Sequence, residues 1–374
     1  MNIPLSSPDI TEQDIEAVVQ VLKTPRLSLG PKLVEFEEKM AGYIGVNYAV
    51  AVSSGTSALH LIVRALDIKD GDEVITTPFS FIASANCMLF ERAKPVFVDI
   101  DPMTLNMDVG RIEKHITDKT RAILAVDVFG YPADWDELER LARKHKLMLI
   151  EDSCEALGAQ YKGKKLGTFG EAGAFAFYPN KQMTTGEGGI IVTNNEKIAS
   201  LCRSMRNQGR GEGDEWLQHS RLGYNYRISD INCALGISQL ERIESLLVKR
   251  EQVALLYNKG LNDLKEVNVP FTSPEMKRSW FVYVVVLADD YTVENRNEIL
   301  QELKKRGIGC SNYFTPIHLQ PFYREMFGYK DGDFPLTEHI AERTIALPFY
   351  SNLSEQDIDF VVQNLKEIVT GLQM

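Results

Sequence analysis

Residues 173–193 read GAFAFYPNKQMTTGEGGIIVT, and the rest of the chain is organised around them. Alternating apolar runs at 174–177 and 190–193 flank a middle built from Pro179, Asn180, Thr184, Thr185, Gly186, Gly188 and Gly189. That pattern predicts two strands joined by a glycine-dense turn. Glycine at such density marks backbone brought close to a bulky object. Lys181 sits inside the turn. A lysine there serves as a point charge for phosphate, as an amine nucleophile that forms a Schiff base, or as a solvated loop residue. The choice falls to the remainder of the chain.

Upstream, apolar stripes predict helices over 11–23 (Ile15, Val18, Val19, Leu22) and 32–44 (Leu33, Phe36, Met40, Ile44), with Gly45 as a stop. From residue 48 the pattern changes. Short apolar runs predict strands at 48–52, 73–76, 94–98, 122–126 and 147–150, separated by helices at 58–66, 82–90 and 134–145. This alternation predicts a largely parallel, doubly wound α/β domain, with ligands off the carboxyl ends of the strands. Three segments fall there: SSGTS at 53–57, PFSF at 78–81 and EDSCE at 151–155.

Downstream come a helix over 196–205, a polar glycine-rich loop over 207–214 and RLGYNYR at 221–227. One long helix from 229 to about 260 leads into a second domain. That domain has a strand over 280–287, a helix over 293–306, an aromatic and polar loop over 311–323, and a final helix over 354–372. The expected division is a large domain of residues 1–245 and a smaller α+β domain of residues 246–374.

Composition narrows the classes. A length of 374 residues suits about two domains. A net charge of −11 argues against a nucleic-acid partner. No run of 18 apolar residues predicts a membrane span, and MNIPLSSPDITEQDI has neither the basic start nor the apolar core of a signal peptide. Five scattered cysteines without CxxC spacing suit a reducing cytoplasm and argue against zinc; the six histidines form no HExxH pairing, so no metal is expected.

Each site segment has an ordinary reading and a chemical one. SSGTS at a strand-to-helix turn offers amides, a helix N-terminus and hydroxyls to an anion, or it is a plain cap made by Thr56 or Ser57. Asp152 follows Glu151 at a strand end, where neighbouring side chains point oppositely, so one acid can face a crevice. Phe81 stacks on a flat ring or belongs to the core. Together, a phosphate cradle, an aromatic plate, an acid for a ring nitrogen and a lysine amine meet the needs of pyridoxal phosphate.

The chain resembles the sugar aminotransferases of the DegT/DnrJ/EryC/StrS group. The resemblance rests on LSLGPKLVEFEEKMAGYIGVNYAVAVSSGTSALHL, GDEVITTPFSFIASAN, KPVFVDIDPMTLNMD, EDSCEALGA, FYPNKQMTTGEGGIIVT, LGYNYRISDINCALGISQL and YFTPIHLQPFY, nearly end to end. It implies the aspartate-aminotransferase fold, type I, with pyridoxal 5'-phosphate as cofactor. It implies that Lys181 joins the cofactor's aldehyde, that Asp152 meets the pyridine nitrogen and that Phe81 covers the ring. Gly55, Thr56 and Ser57 are expected at the phosphate, Glu155 near the phenolic oxygen, and Asn225 at the phosphate of a neighbouring subunit's cofactor. The implied assembly is a homodimer with shared active sites. The loop from Tyr313 to His318 is expected to close over a nucleotide-linked sugar, with an amino acid, usually glutamate, as donor.

Two positions depart from the group's pattern. Ala176 stands where serine often supplies a phosphate hydroxyl, and Glu155 where many members have glutamine. Lys181, in place of the histidine of a dehydrating branch, points to amino transfer, at C4 of a 4-keto-6-deoxy sugar by family frequency. Arg26 and Arg227 are candidates for the donor's carboxylate, or ordinary ion-pair residues. The rival readings are a pyridoxal phosphate-dependent lyase or sugar dehydratase on the same scaffold, and a regulatory protein without turnover.

Overall fold

Thr11 closes a capping box before the helix Glu12–Leu22. Its Oγ1 accepts the Asp14 amide, and the Asp14 carboxylate accepts the Thr11 amide at 2.8 Å. The second helix, Pro31–Ile44, ends at Gly45 in the left-handed region (φ 91°), where a side chain would be strained. The computed structural model describes residues 2–211, 213–215 and 217–372. Glu212, within the loop predicted over 207–214, and Met1, Gln373 and Met374, at the ends of the two expected domains, lie outside the described residues.

The strands of the first half are β1 (Tyr48–Val52), β2 (Glu73–Thr76), β3 (Lys94–Phe97), β4 (Thr120–Val126) and β5 (Met148–Asp152). The short β6 (Gln160–Tyr161) and β7 (Lys164–Lys165) follow, then β8 (Ala172–Ala176) and β9 (Gly189–Thr193). Seven of them form one sheet in the order β1-β9-β8-β5-β4-β2-β3. β9 runs antiparallel to both neighbours, and the other recorded pairings in this sheet are parallel. The run at 190–193, expected to alternate, is near-continuously apolar because the residues of β9 are buried throughout. The lysine turn is the connection between β8 and β9, so it emerges at the carboxyl end of the parallel strands.

The second half adds β10 (Val267–Asn268), β11 (Met276–Lys277), β12 (Tyr283–Leu287) and β13 (Thr344–Leu347). β12 lies between β10 and β13, antiparallel to both, while β11 pairs with β6 of the first half. A separate apolar core forms here from Tyr257, Tyr283, Val285, Ile299, Leu303, Ile345 and Leu365. Ile3 packs into this same core and bridges to Ile308.

Three local readings change. The helix expected from 229 to about 260 is two helices, Asp230–Glu241 and Ile243–Leu261. They break at Arg242 (φ −115°, ψ 17°), whose guanidinium reaches Asp9 and Asp14. The strand expected from 280 begins only at Tyr283, because the carbonyls of Trp280 and Phe281 accept from Arg250. The division expected at 245/246 falls inside the continuous helix Ile243–Leu261. Ile243 and Leu246 of that helix pack in one core, and Val253 and Tyr257 in another.

Candidate active site

The floor of the site is the N-terminus of the helix Gly55–Ala65. Ser54 is its cap, and its Oγ accepts the Ser57 amide at 3.1 Å. The amides of Gly55 and Thr56, at the first two helical positions, have no intrahelical acceptor and stand ready for an anion. Close packing explains the glycines. A Cβ on Gly55 would lie 2.7 Å from the Ala176 methyl, and one on Gly189 would lie 2.4 Å from the Ser54 carbonyl carbon. Thus β8 and β9 press against this turn only because side chains are absent there.

Asp152 ends β5 and is buried. Its Oδ2 accepts from Ser84 Oγ at 2.6 Å, and its Oδ1 accepts the Cys154 amide at 3.2 Å. Ser84 in turn lies 2.8 Å from Ser80 Oγ. The two serines come from the segment after β2, so PFSF contributes the support of the acid as well as Phe81. The Phe81 ring is 61% exposed and lines the cavity, where a flat ligand can cover it.

Lys181 Nζ lies 3.8 Å from Glu155 Oε1 and 3.7 Å from the centroid of the Phe281 ring. The Lys181 amide donates to the Tyr178 carbonyl, and the Thr185 amide donates to Phe177, which folds the turn back on itself. Glu155 is held from the other side: its Oε2 accepts the Phe129 amide at 2.9 Å. Phe129 adopts the left-handed region (φ 53°), an uncommon conformation for a bulky residue, and presents that amide inward. Burial raises the Glu155 carboxyl above the ordinary range, and the neighbouring Lys181 opposes that shift.

These groups enclose a cavity of about 660 Å³, lined among others by Gly55, Thr56, Phe81, Asp152, Glu155 and Lys181. Tyr313 joins them, with its neighbours Asn312, Phe314 and Thr315. Two expected residues, Ser57 and His318, are placed elsewhere. Ser57 does not line the cavity: its Oγ is taken up by Ser53 at 3.0 Å and Ser54 at 2.8 Å. The cap is therefore Ser54, neither Thr56 nor Ser57. His318 is fully buried in an aromatic cluster with Phe334 and Tyr329, and its Nε2 pairs with Glu338 at 3.0 Å, so it cannot reach a ligand in the cavity. Asn225 is exposed and outside the cavity of its own chain, with its backbone bridged to Asn207. Neither Arg26 nor Arg227 lines the cavity; Arg227 donates to Asn207 at 3.1 Å.

Sequence reasoning missed Ser84, Phe281 and Arg250. PFSFIAS carries a serine three residues past Phe81, which a helical turn would aim back at the strand ends. Phe281 and Arg250 gave no signal, since tertiary packing alone brings them in: Phe281 packs in the core around the central sheet, and Arg250 lies on the helix Ile243–Leu261. Among the described residues, no group of three or more metal-ligating side chains occurs, and no helix is long and apolar enough to cross a membrane.

A model of the DegT/DnrJ/EryC1/StrS aminotransferase family matches residues 8–366. The chain belongs to this family. It is a sugar aminotransferase that depends on pyridoxal phosphate, on an aspartate-aminotransferase-like fold of type I. GDP-perosamine synthase of Escherichia coli O157:H7 is 36% identical to it, over 98% of this chain and 98% of that protein. The structure of Helicobacter pylori PseC, an aminotransferase of pseudoaminic acid biosynthesis, superposes with a TM-score of 0.94 at 31% identity, covering 99% of this chain and 100% of that one. The pyridoxal phosphate form of a sugar aminotransferase from Streptococcus pneumoniae gives 0.95 at 29% identity, with 100% of both chains covered.

Proposed function

We propose that this aminotransferase moves an amino group from glutamate to a nucleotide-linked keto-sugar, at C4 of a 4-keto-6-deoxy sugar. It would act in the cytoplasm, in surface-polysaccharide or amino-sugar biosynthesis. The observation that carries the reading is the convergence on one cavity of a lysine amine, a carboxylate held by serine and a helix N-terminus. The kinship with GDP-perosamine synthase supports the choice of a nucleotide-linked sugar.

The residues fit the cofactor. The free amides of Gly55 and Thr56 would hold its phosphate, Asp152 its ring nitrogen, and Phe81 would cover the ring. When bound, the cofactor supplies an aldehyde for amines and a ring that takes up electrons from the carbon bearing the amine. The protein does the rest. Ser84 holds the Asp152 carboxylate in place, where it would face the cofactor's ring nitrogen. Lys181 Nζ would be the amine that meets the cofactor's aldehyde and the base that carries protons to and from the reacting carbon. Glu155, pinned by the Phe129 amide, orients Nζ from one side, and the Phe281 ring shields it from water on the other. Tyr313 borders the space left for the sugar.

Among the described residues, Lys181 is the only cationic side chain lining the cavity, against Asp152, Glu155 and Glu187. Phosphates of a nucleotide therefore need help from outside the chain. In this reading the protein is also a homodimer, in which Asn225 reaches across to the partner's cofactor phosphate. Mixing inactive Lys181→Ala and Asn225→Ala subunits should then restore about a quarter of wild-type activity, since half the dimers carry one intact site. No recovery after verified subunit exchange would remove the shared site.

The first test is the absorption spectrum of the purified protein with pyridoxal phosphate. Glutamate should shift a band near roughly 410 nm to about 330 nm, and the right keto-sugar nucleotide should reverse the shift. A band that glutamate leaves unchanged would reject glutamate as donor. Reversal only by 3-keto sugars would reject C4.

A further inference from the structure

One buried arginine ties the lysine turn to the second core. Arg250 lies on the helix Ile243–Leu261 and is 2% exposed. Its Nη2 donates to the carbonyls of Lys181 at 2.7 Å and Asn180 at 3.3 Å. Its Nη1 donates to the carbonyls of Phe281 at 3.1 Å and Trp280 at 3.3 Å. All four recorded acceptors are backbone oxygens. Burial lowers the guanidinium to about 10, which leaves it charged at neutral pH.

A charge buried among neutral acceptors costs more than an apolar side chain of the same length. What it provides is geometry. The planar fork binds two segments at once and fixes the distance between them. One segment carries Lys181. The other carries Phe281, whose ring lies 3.7 Å from Lys181 Nζ. The same residues 278–281 reach the other side of the site. The Ser279 amide donates to Gly130 at 3.0 Å, Arg278 Nη1 to Phe129 at 3.0 Å, and Gln182 Nε2 to Ser279 at 3.1 Å and Glu155. The segment thus borders the backbone of all three loops that present Lys181, Glu155 and Phe129.

We propose that Arg250 is a positioning residue, which holds the Lys181 turn in register with residues 278–281 so that Nζ stays between Glu155 and Phe281. Only its effect on turnover rests on the proposed function; the register itself does not.

The test uses the full chain, with and without pyridoxal phosphate, as wild type, Arg250→Met, Arg250→Lys and Tyr257→Phe. Tyr257 is the control: it lies on the same helix but donates to Pro348 in the second core. Hydrogen exchange of residues 178–186 should speed up by about tenfold or more in Arg250→Met while β5 stays within about twofold. Arg250→Lys should be intermediate, and Tyr257→Phe should leave 178–186 unchanged. In the loaded enzyme, kcat should fall about tenfold with KM nearly unchanged, as expected for a misplaced amine. Equal acceleration across the chain, or the same pattern in Tyr257→Phe, overturns the proposal. If Arg250→Met does not fold, Arg250→Lys decides: exchange like wild type in 178–186 overturns it. Localised exchange in a protein whose wild type aminates no keto-sugar would leave the positioning role standing and reject the proposed function.

Discussion

Glu151 and Asp152 are consecutive carboxylates at the end of β5, and the sheet sends them to opposite faces. Both are buried, yet their surroundings differ. Glu151 is sealed among protein donors: the amides of Gly167 and Phe169, and the Ser153 hydroxyl, which also reaches Asp127. Burial raises both Glu151 and Asp127 above the ordinary carboxylate range. Asp152 has one short hydroxyl contact and one longer amide contact, and faces the cavity. A carboxylate whose acceptors are used up by its own chain holds structure. One with capacity left over is available to a ligand.

The predictions press on that contrast. The largest effect should come from Lys181→Ala on the cavity face. Turnover should drop by about 10⁴-fold or more with the fold intact, measured by keto-sugar amination and circular dichroism. Retained transamination would remove Lys181 from the chemistry. Next, Asp152→Asn should lower kcat by about 100-fold while the melting temperature changes little. Glu151→Gln should do the reverse. It leaves an amide nitrogen facing a backbone donor, costing about 1–3 kcal/mol of stability, while activity stays within about threefold. If both substitutions damage both properties equally, the two faces are not separable.

Glu151 also predicts a pH dependence. The folded carboxyl keeps its proton to higher pH than the unfolded one. The folded state therefore binds more protons as pH rises from the ordinary glutamate range towards about 7. Stability should fall across that window, and denaturant titrations of Glu151→Gln should show a shallower slope. The smallest effect should be Ala176→Ser. It adds a hydroxyl to the cavity wall beside Gly55 and should tighten cofactor retention by a few-fold, read by dialysis. Weaker retention would mean that Gly55 has no room for it.

The strand–helix alternation up to residue 193 was legible because each element repeats its own period, and because Thr11, Gly45 and Asp134 punctuate it with caps. The cavity residues Gly55, Thr56, Phe81, Asp152, Glu155 and Lys181 were legible because strand ends of such a sheet converge. Legibility failed where a partner far along the chain decided the outcome. His318 sits in a promising motif, but Glu338 and Phe334 claim it. Ser57 looks like a phosphate ligand until Ser53 and Ser54 take its hydroxyl. The break at Arg242 depends on Asp9 and Asp14, more than 200 positions earlier.

The amino-acid sequence by itself determined the parallel architecture, the turn that carries Lys181, and the chemical inventory at the strand ends. All three follow from local periodicity, glycine and residue type. Tertiary structure alone decided which serine holds the acid and how the amine is aimed. Those outcomes depend on competition for hydrogen-bond donors and acceptors between segments that meet only when the chain is folded. Arg250 illustrates it: its side chain finds the Lys181 carbonyl because the second core carries the helix Ile243–Leu261 past the lysine turn.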